Sequence, residues 1–151
     1  MLFRSVGFDR VDIHAAAEKR VVVTTTPGSN SEAVADFAMG MILACARKIP
    51  LLDSNLKAGA WQPRLGVDVN SKTLGIAGLG RIGQAVARRA RAFNMRILGV
   101  DPIVSQDQVA ALGVEIVSFD TLFSESDFIT LHMPSLPETS GFIGEIGRAH
   151  V

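Results

Sequence analysis

The chain of 151 residues is long enough for one domain with a hydrophobic core. Apolar residues make up 48% and charged residues 20%, a composition typical of globular proteins and not of disordered ones. Fifteen basic residues balance fifteen acidic ones. Because no net charge attracts nucleic acid or an anionic membrane surface, we expect neither as a partner.

A single cysteine and the shortness of the apolar runs indicate the compartment. Cys45 has no partner for an internal disulfide, and within Ala44-Cys45-Ala46 we expect it to be a buried structural thiol. The most apolar segment, residues 37–46, has ten residues, whereas a membrane helix needs roughly 20. Charged residues within the first twelve interrupt any signal-peptide core. We therefore expect a cytoplasmic protein.

A strand and a long helix are predicted in the first third of the chain. Residues 21–26 are β-branched throughout and predict a buried strand, which Pro27-Gly28 ends. Asn30 or Ser31 then caps a helix over about residues 32–48. Its apolar positions have a helical spacing and predict a wide buried stripe made of Val34, Phe37, Ala38, Met41, Ile42 and Cys45.

Pro50 ends or kinks this helix, and a weaker helix is predicted over residues 51–58. Residues 60–71 are typical of a linker, and from Lys72 strands and helices alternate. This order implies a parallel sheet with right-handed crossovers. The predicted strands cover residues 73–77, 96–100, 114–117 and 128–132, and the predicted helices cover residues 82–93, 106–112 and 121–124.

The segment from Thr73 to Gly83 contains a glycine-rich motif directly after a strand and at the start of a helix. Gly78 permits a tight turn, Gly80 lets a pyrophosphate approach the backbone, and Gly83 lets helix and strand pack closely. The N-terminus of the helix then offers unpaired N–H groups to the anion. The motif predicts a dinucleotide-binding site.

An acidic residue supports this interpretation. Asp101 ends the next strand, 18 residues after Gly83, where a carboxylate can accept both hydroxyls of the adenosine ribose. The same carboxylate would repel a 2′-phosphate, so the sequence favours NAD over NADP. The alternative is a glycine-rich turn with an unrelated surface aspartate.

The run from Lys72 to Gly144 resembles the D-isomer-specific 2-hydroxyacid dehydrogenases, above all their D-3-phosphoglycerate dehydrogenase branch. The resemblance is carried by KTLGIAGLGRIGQAVARRARAFNMRILGVDPIVS and SDFITLHMPSLPETSGFIG. Upstream, VGFDRVDIHAAAEKRVVVTTTPGSNSEAVADFAMGMILACARKIP is similar to the family's passage from substrate domain to inter-domain helix. The resemblance implies an incomplete Rossmann-like, doubly wound parallel sheet in residues 31–144. It also implies an inter-domain helix over 31–49 and the end of a substrate domain in 1–30.

The resemblance also implies roles for residues around the motif. Backbone N–H groups of Arg81 and Ile82 would bind the pyrophosphate, and Val34 would lie near the nicotinamide. Val6 and Gly7 match a loop that binds the substrate carboxylate through backbone groups. The adenine and ribose side would be lined by His132, Met133 and Pro134, although a histidine at a strand end can also serve to cap strand carbonyls.

In this family an arginine and a histidine–glutamate pair carry out hydride transfer, and all three lie beyond the position of Gly144. We therefore expect no catalytic residue, no metal site and no activity in this chain alone. The resemblance implies that the full-length protein is an NAD-dependent oxidoreductase of the CH–OH group of a D-2-hydroxyacid, with D-3-phosphoglycerate the best guess, and a homodimer. The alternative is an NAD-binding sensor or corepressor module on the same fold.

The last seven residues, 145–151, depart from the resemblance. Gly147 interrupts the segment, which has no amphipathic pattern where relatives would have a helix. The seven residues are also the translation of a widely used sequencing-library adapter, GAG-ATC-GGA-AGA-GCA-CAC-GTC. We expect them to be a non-native tail, the alternative being a short natural terminus.

Overall fold

The computed structural model describes residues 2–5, 7, 8, 11–134, 139, 141 and 143, the first range by its backbone alone. Gly144 and the predicted non-native tail lie outside the described residues. The elements in chain order are β1 (Leu2–Ser5), α1 (Ile13–Glu18), β2 (Val22–Thr25), α2 (Ser31–Ala46), α3 (Ile49–Lys57), β3 (Thr73–Ala77), α4 (Arg81–Ala92), β4 (Arg96–Val100), α5 (Gln106–Val109), β5 (Val114–Ile116), α6 (Phe119–Glu125) and β6 (Phe128–Leu131).

Strands β3 to β6 form a four-stranded parallel sheet in the order β5-β4-β3-β6. Central strands β3 and β4 are almost entirely buried, as expected for parallel strands with helices on both faces. Within the core, Leu74, Ile76, Leu79 and Leu98 are fully buried. The sheet confirms the predicted Rossmann-like α/β fold and the four predicted strands. Helix α6 is longer than the predicted turn because the Ser118 side chain caps it at its start.

The prediction of a buried strand over residues 21–26 is wrong in its burial. Strand β2 pairs in parallel with β1, with Leu2 opposite Val22, in a separate two-stranded sheet. Val22 is 59% exposed. β-branched residues set the extended conformation, but burial needs a covering layer, and the short α1 has no buried residue of its own.

The helix predicted over residues 31–49 ends earlier in the structure, and a second helix follows it. Helix α2 ends at Ala46, and Lys48 adopts a left-handed conformation with φ of 56°. Pro50 lies in the first turn of α3 and does not end α2. A proline is favourable there because the first N–H groups of a helix have no intrahelical acceptor.

The predicted buried stripe of α2 is also displaced. Phe37 is 70% and Met41 is 51% exposed, and Cys45 is exposed, so the prediction of a buried thiol is wrong. Ile42 of the predicted stripe is buried, but the buried face of α2 is otherwise a neighbouring one, and the helix packs against α4. Apolar residues on two adjacent faces of the helix allowed either face to be the buried one. The buried positions are Ser31, Ala35, Met39, Ile42 and Ala46.

None of the helices in the described ranges has both the length and the hydropathy that crossing a bilayer requires.

Candidate cofactor site

The predicted site lies at the carboxyl ends of three neighbouring strands. Gly78 follows β3, Asp101 follows β4 and His132 follows β6. The chain places β4 and β5 on one side of β3 and then β6 on the other. This reversal between β3 and β6 is the position at which open parallel sheets bind ligands.

Two of the three motif glycines are required by the packing of the chain itself. Gly78 has a φ of 94°, and a Cβ there would lie 2.7 Å from the carbonyl carbon of His132 and 2.8 Å from the Met133 nitrogen. A Cβ on Gly83 would overlap the carbonyl oxygen of Gly78 and lie 3.3 Å from Ile76 Cγ2. Both glycines therefore bring β3, α4 and the end of β6 together.

Gly80 differs from the other two. Its φ of −67° is accessible to any residue, and no described atom beyond its chain neighbours lies within 4 Å of an added Cβ. Gly80 is the N-cap of α4, where the first-turn N–H groups, including those of Arg81 and Ile82, carry the positive end of the helix dipole. The space that a side chain would fill is therefore open, and an anion such as a pyrophosphate can approach these N–H groups through it.

Asp101 is half-buried beside this turn, and its carboxylate accepts three backbone hydrogen bonds. Oδ2 accepts from the N–H of Leu79 at 2.8 Å, and Oδ1 accepts from Ile103 at 2.8 Å and Val104 at 3.0 Å. Burial alone would raise the pKa of Asp101, but these N–H groups lower it below its usual value. The group is therefore a carboxylate at neutral pH.

The third part of the site is the end of β6. The backbone N–H of His132 donates to the carbonyl of Ala77 at 2.7 Å, and His132 Nε2 lies 3.0 Å from the hydroxyl oxygen of Thr130. Burial lowers the pKa of His132, so the ring is neutral at pH 7. Met133 is half-buried and Pro134 is exposed. Of these three predicted residues, His132 and Met133 lie beside Gly78.

The remaining predicted residues lie on both sides of the motif. Arg81 is the first residue of α4, and its Cδ lies 3.0 Å from the position of a Cβ on Gly28, which places its stem against the turn after β2. Val34 is half-buried in the first turns of α2. Val6 lies outside the described residues, and Gly7 is exposed.

Ion pairs hold the start of α2 against α4. Arg89 contacts Glu32 at 2.9 Å and Asp36 at 2.7 Å, and Arg88 contacts Glu32 at 2.7 Å. The hydrogen bond from Arg89 lowers the pKa of Glu32. The structure thus gives these arginines structural partners on α2.

One residue of the site is missing from the sequence prediction. The side-chain amide of Gln84 donates to the carbonyl of Leu79 at 2.8 Å, inside the glycine-rich turn. The available signal was a lone polar side chain between Gly83 and Ala85, two buried positions of α4.

Comparisons with known proteins agree with this geometry. A family model described as the NAD binding domain of D-isomer specific 2-hydroxyacid dehydrogenases matches residues 39–147. D-3-phosphoglycerate dehydrogenase of Archaeoglobus fulgidus is 44% identical over 142 residues, covering 93% of this chain and 27% of the relative. Glyoxylate reductase of Korarchaeum cryptofilum is 46% identical over 147 residues, covering 93% of this chain and 44% of the relative.

Solved structures give the same result. The crystal structure of D-lactate dehydrogenase from Aquifex aeolicus, complexed with NAD and lactic acid, has a TM-score of 0.76 and 34% identity. The match covers 91% of this chain and 43% of that chain. This chain therefore spans less than half the length of the proteins that it matches.

Proposed function

Because this chain belongs to the D-isomer-specific 2-hydroxyacid dehydrogenase family, we propose that it is the cofactor-binding part of an oxidoreductase acting on the CH–OH group of a D-2-hydroxyacid. The cofactor of the family is NAD, which accepts or donates the hydride. The residues of this chain bind and orient that cofactor. We assign residues 1–30 to the substrate domain and residues 31–144 to the NAD-binding domain.

The open space at Gly80 is the observation that carries this proposal. The pyrophosphate would lie there, against the N–H groups of Arg81 and Ile82, and Asp101 would receive the adenosine ribose. His132, Met133 and Pro134 would line the adenine side, because the strand that they follow is adjacent to β3. A carboxylate at position 101 would disfavour a 2′-phosphate, which makes NAD the preferred cofactor.

D-3-phosphoglycerate is the substrate that we propose to test first. The relatives that match include a D-3-phosphoglycerate dehydrogenase, a glyoxylate reductase and a D-lactate dehydrogenase, all named for small 2-hydroxy or 2-oxo acids. In the substrate domain, Val6 and Gly7 would bind the substrate carboxylate through backbone groups, and Val34 would contact the nicotinamide ring.

Calorimetric titration of this chain with NADH and NADPH tests the cofactor proposal directly. We expect saturable binding of NADH, weaker binding of NADPH and no turnover of any D-2-hydroxyacid by the 151-residue chain. The full-length gene product should oxidise at least one acid of a D-2-hydroxyacid panel with NAD. Binding of NADH without any turnover by the full-length product would refute the oxidoreductase and support a sensor or corepressor module.

The exposed side of α2 supports a homodimer of the full-length protein. Phe37, Met41 and Cys45 recur every four residues, so they form one exposed apolar stripe along the helix. We propose that the protein is cytoplasmic and that a second copy of it covers this stripe in the homodimer. Phe37→Glu should shift sedimentation toward the monomer, whereas Ile103→Glu, at a side chain that is 89% exposed, should leave it unchanged. Equal sedimentation of both variants and the parent chain would exclude this surface.

A further inference from the structure

Leu79, between the first two motif glycines, has both of its backbone polar groups held by side chains. Its N–H donates to Asp101 Oδ2 at 2.8 Å, and its carbonyl accepts from Gln84 Nε2 at 2.8 Å. One partner follows β4 and the other lies on α4. The Leu79 peptide is therefore fixed from two elements that flank the turn.

The turn needs such restraint because glycines stand on both sides of Leu79. Glycine has the greatest conformational freedom of any residue. Gly78 is already held by its N–H bond to the Val100 carbonyl at 2.8 Å and by its packing on His132, so the freedom that remains is that of Gly80. The Leu79 side chain adds a third restraint, since it is fully buried in space that Gly99 leaves open. A Cβ on Gly99 would lie 2.7 Å from Leu79 Cδ1.

The contacts of Asp101 also limit what it can offer to a ligand. A carboxylate has about four lone-pair sites, and three of them accept from Leu79, Ile103 and Val104. The remaining site is on Oδ2. Oδ2 can therefore accept a ribose hydroxyl while Asp101 keeps these three bonds.

From these contacts we propose that Asp101 and Gln84 are positioning residues for the pyrophosphate site, which they hold in its binding conformation through the Leu79 peptide. The proposal rests on the proposed function, because the anion in question is the pyrophosphate of the cofactor. In this proposal Asp101 contributes to cofactor binding in two ways, through its contact with the ribose and through its hold on the Leu79 peptide.

Ligands without ribose hydroxyls separate the two contributions. Calorimetric titrations of this chain with ADP and 2′,3′-dideoxyADP would compare the parent chain with Asp101→Asn and Gln84→Met. Asparagine has one acceptor oxygen, so it cannot hold both Leu79 and the pair Ile103 and Val104. We expect each variant to weaken dideoxyADP binding by about three- to tenfold, the usual range for a lost hydrogen bond. For Asp101→Asn the loss with ADP should be larger still.

Asp127→Asn is the matched control. Asp127 also accepts a backbone N–H, that of Thr73 at 2.8 Å, but at the opposite end of β3. This variant should bind both ligands as the parent does. If Asp101→Asn weakens ADP binding but leaves dideoxyADP binding unchanged, Asp101 acts through the ribose alone and the proposal fails.

Amide hydrogen exchange without ligand gives a second readout that does not depend on the proposed function. Asp101→Ala, which removes every acceptor oxygen at this position, should accelerate exchange at Leu79, whereas Asp127→Ala should accelerate it at Thr73. Unchanged exchange at Leu79 would overturn the proposal. If the parent chain bound neither nucleotide, the proposed function would fail, and the exchange result alone would decide whether Asp101 restrains the turn.

Discussion

A methyl group added at two positions of the glycine-rich motif should have opposite consequences for folding and for binding. At Gly83 the new Cβ meets the carbonyl oxygen of Gly78, a backbone atom that cannot rotate away. At Gly80 it meets no described atom beyond its chain neighbours. We therefore predict that Gly83→Ala mainly destabilises the fold, whereas Gly80→Ala mainly weakens cofactor binding.

The magnitudes follow from the surroundings of each position. Replacing a glycine inside a helix by alanine stabilises by about 0.5–1 kcal/mol, while forcing a methyl group into a packed region costs about 1–3 kcal/mol or more. Because the neighbour of Gly83 is backbone, we expect a net destabilisation of about 2 kcal/mol, or a fall in Tm of about 4–8 °C. At Gly80, alanine is a poorer N-cap and should cost less than about 1 kcal/mol.

Thermal unfolding and NADH titration of the same variants provide the assay. Gly40→Ala is the control for helix propensity, since Gly40 lies within α2 and an added Cβ meets no described atom within 4 Å. It should raise Tm slightly. Gly80→Ala should lower NADH affinity by about tenfold or more, since overlap with the pyrophosphate costs at least 1–2 kcal/mol. A Gly83→Ala variant as stable as Gly40→Ala, or a Gly80→Ala variant with unchanged affinity, would refute the reasoning.

Three further predictions concern charge. The hydrogen bond from the Thr73 N–H, and then the one from Lys72, lower the pKa of Asp127 below its usual value of 3.8. The ionised carboxylate therefore contributes stability above pH 3.8, and this contribution is lost as pH falls through the lower pKa of the folded chain. Asp127→Asn should flatten the fall of Tm in acid. Burial lowers the pKa of His132, so the unfolded chain takes up the proton more readily than the folded one. The stability that the neutral ring contributes is therefore present above pH 6.5 and is lost as pH falls below it. His132→Gln should reduce the difference in Tm between pH 7.5 and 5.5. Arg89→Lys should lower the urea midpoint of unfolding, because lysine cannot contact Glu32 and Asp36 together as the guanidinium does. Added salt should shrink this difference, and a difference that salt left unchanged would contradict the ion-pair account.

The parts of the site that the sequence predicted are those fixed by local rules. The apolar runs at residues 73–77 and 96–100 have the composition of strands buried on both faces, and they end at Gly78 and Asp101. Parallel strands bring such ends to one edge of the sheet, so the positions of the glycine motif and Asp101 follow from strand order alone.

The parts that the sequence did not predict depend on which surfaces meet. The stripe with Phe37 and Met41 is as apolar as the face that packs on α4. Hydrophobic periodicity therefore could not decide which of the two is buried, and it led to the wrong prediction that Cys45 is buried. The contacts of Asp101 with Leu79 and of Gln84 with the same peptide join three elements. No pattern within one element carries that information.

The contact between Asp101 and Leu79 changes how a switch of cofactor preference should be engineered. Removal of the carboxylate eliminates the repulsion of a 2′-phosphate, but alanine also leaves the N–H groups of Leu79, Ile103 and Val104 without their acceptor. Serine or asparagine removes the charge and keeps one acceptor oxygen. Asp101→Ala should therefore lose affinity for both NAD and NADP, whereas Asp101→Ser and Asp101→Asn should lose less for NADP and show the larger change in preference. A higher NADP affinity for Asp101→Ala than for Asp101→Asn would mean that charge alone governs the choice and that the turn needs no acceptor at this position.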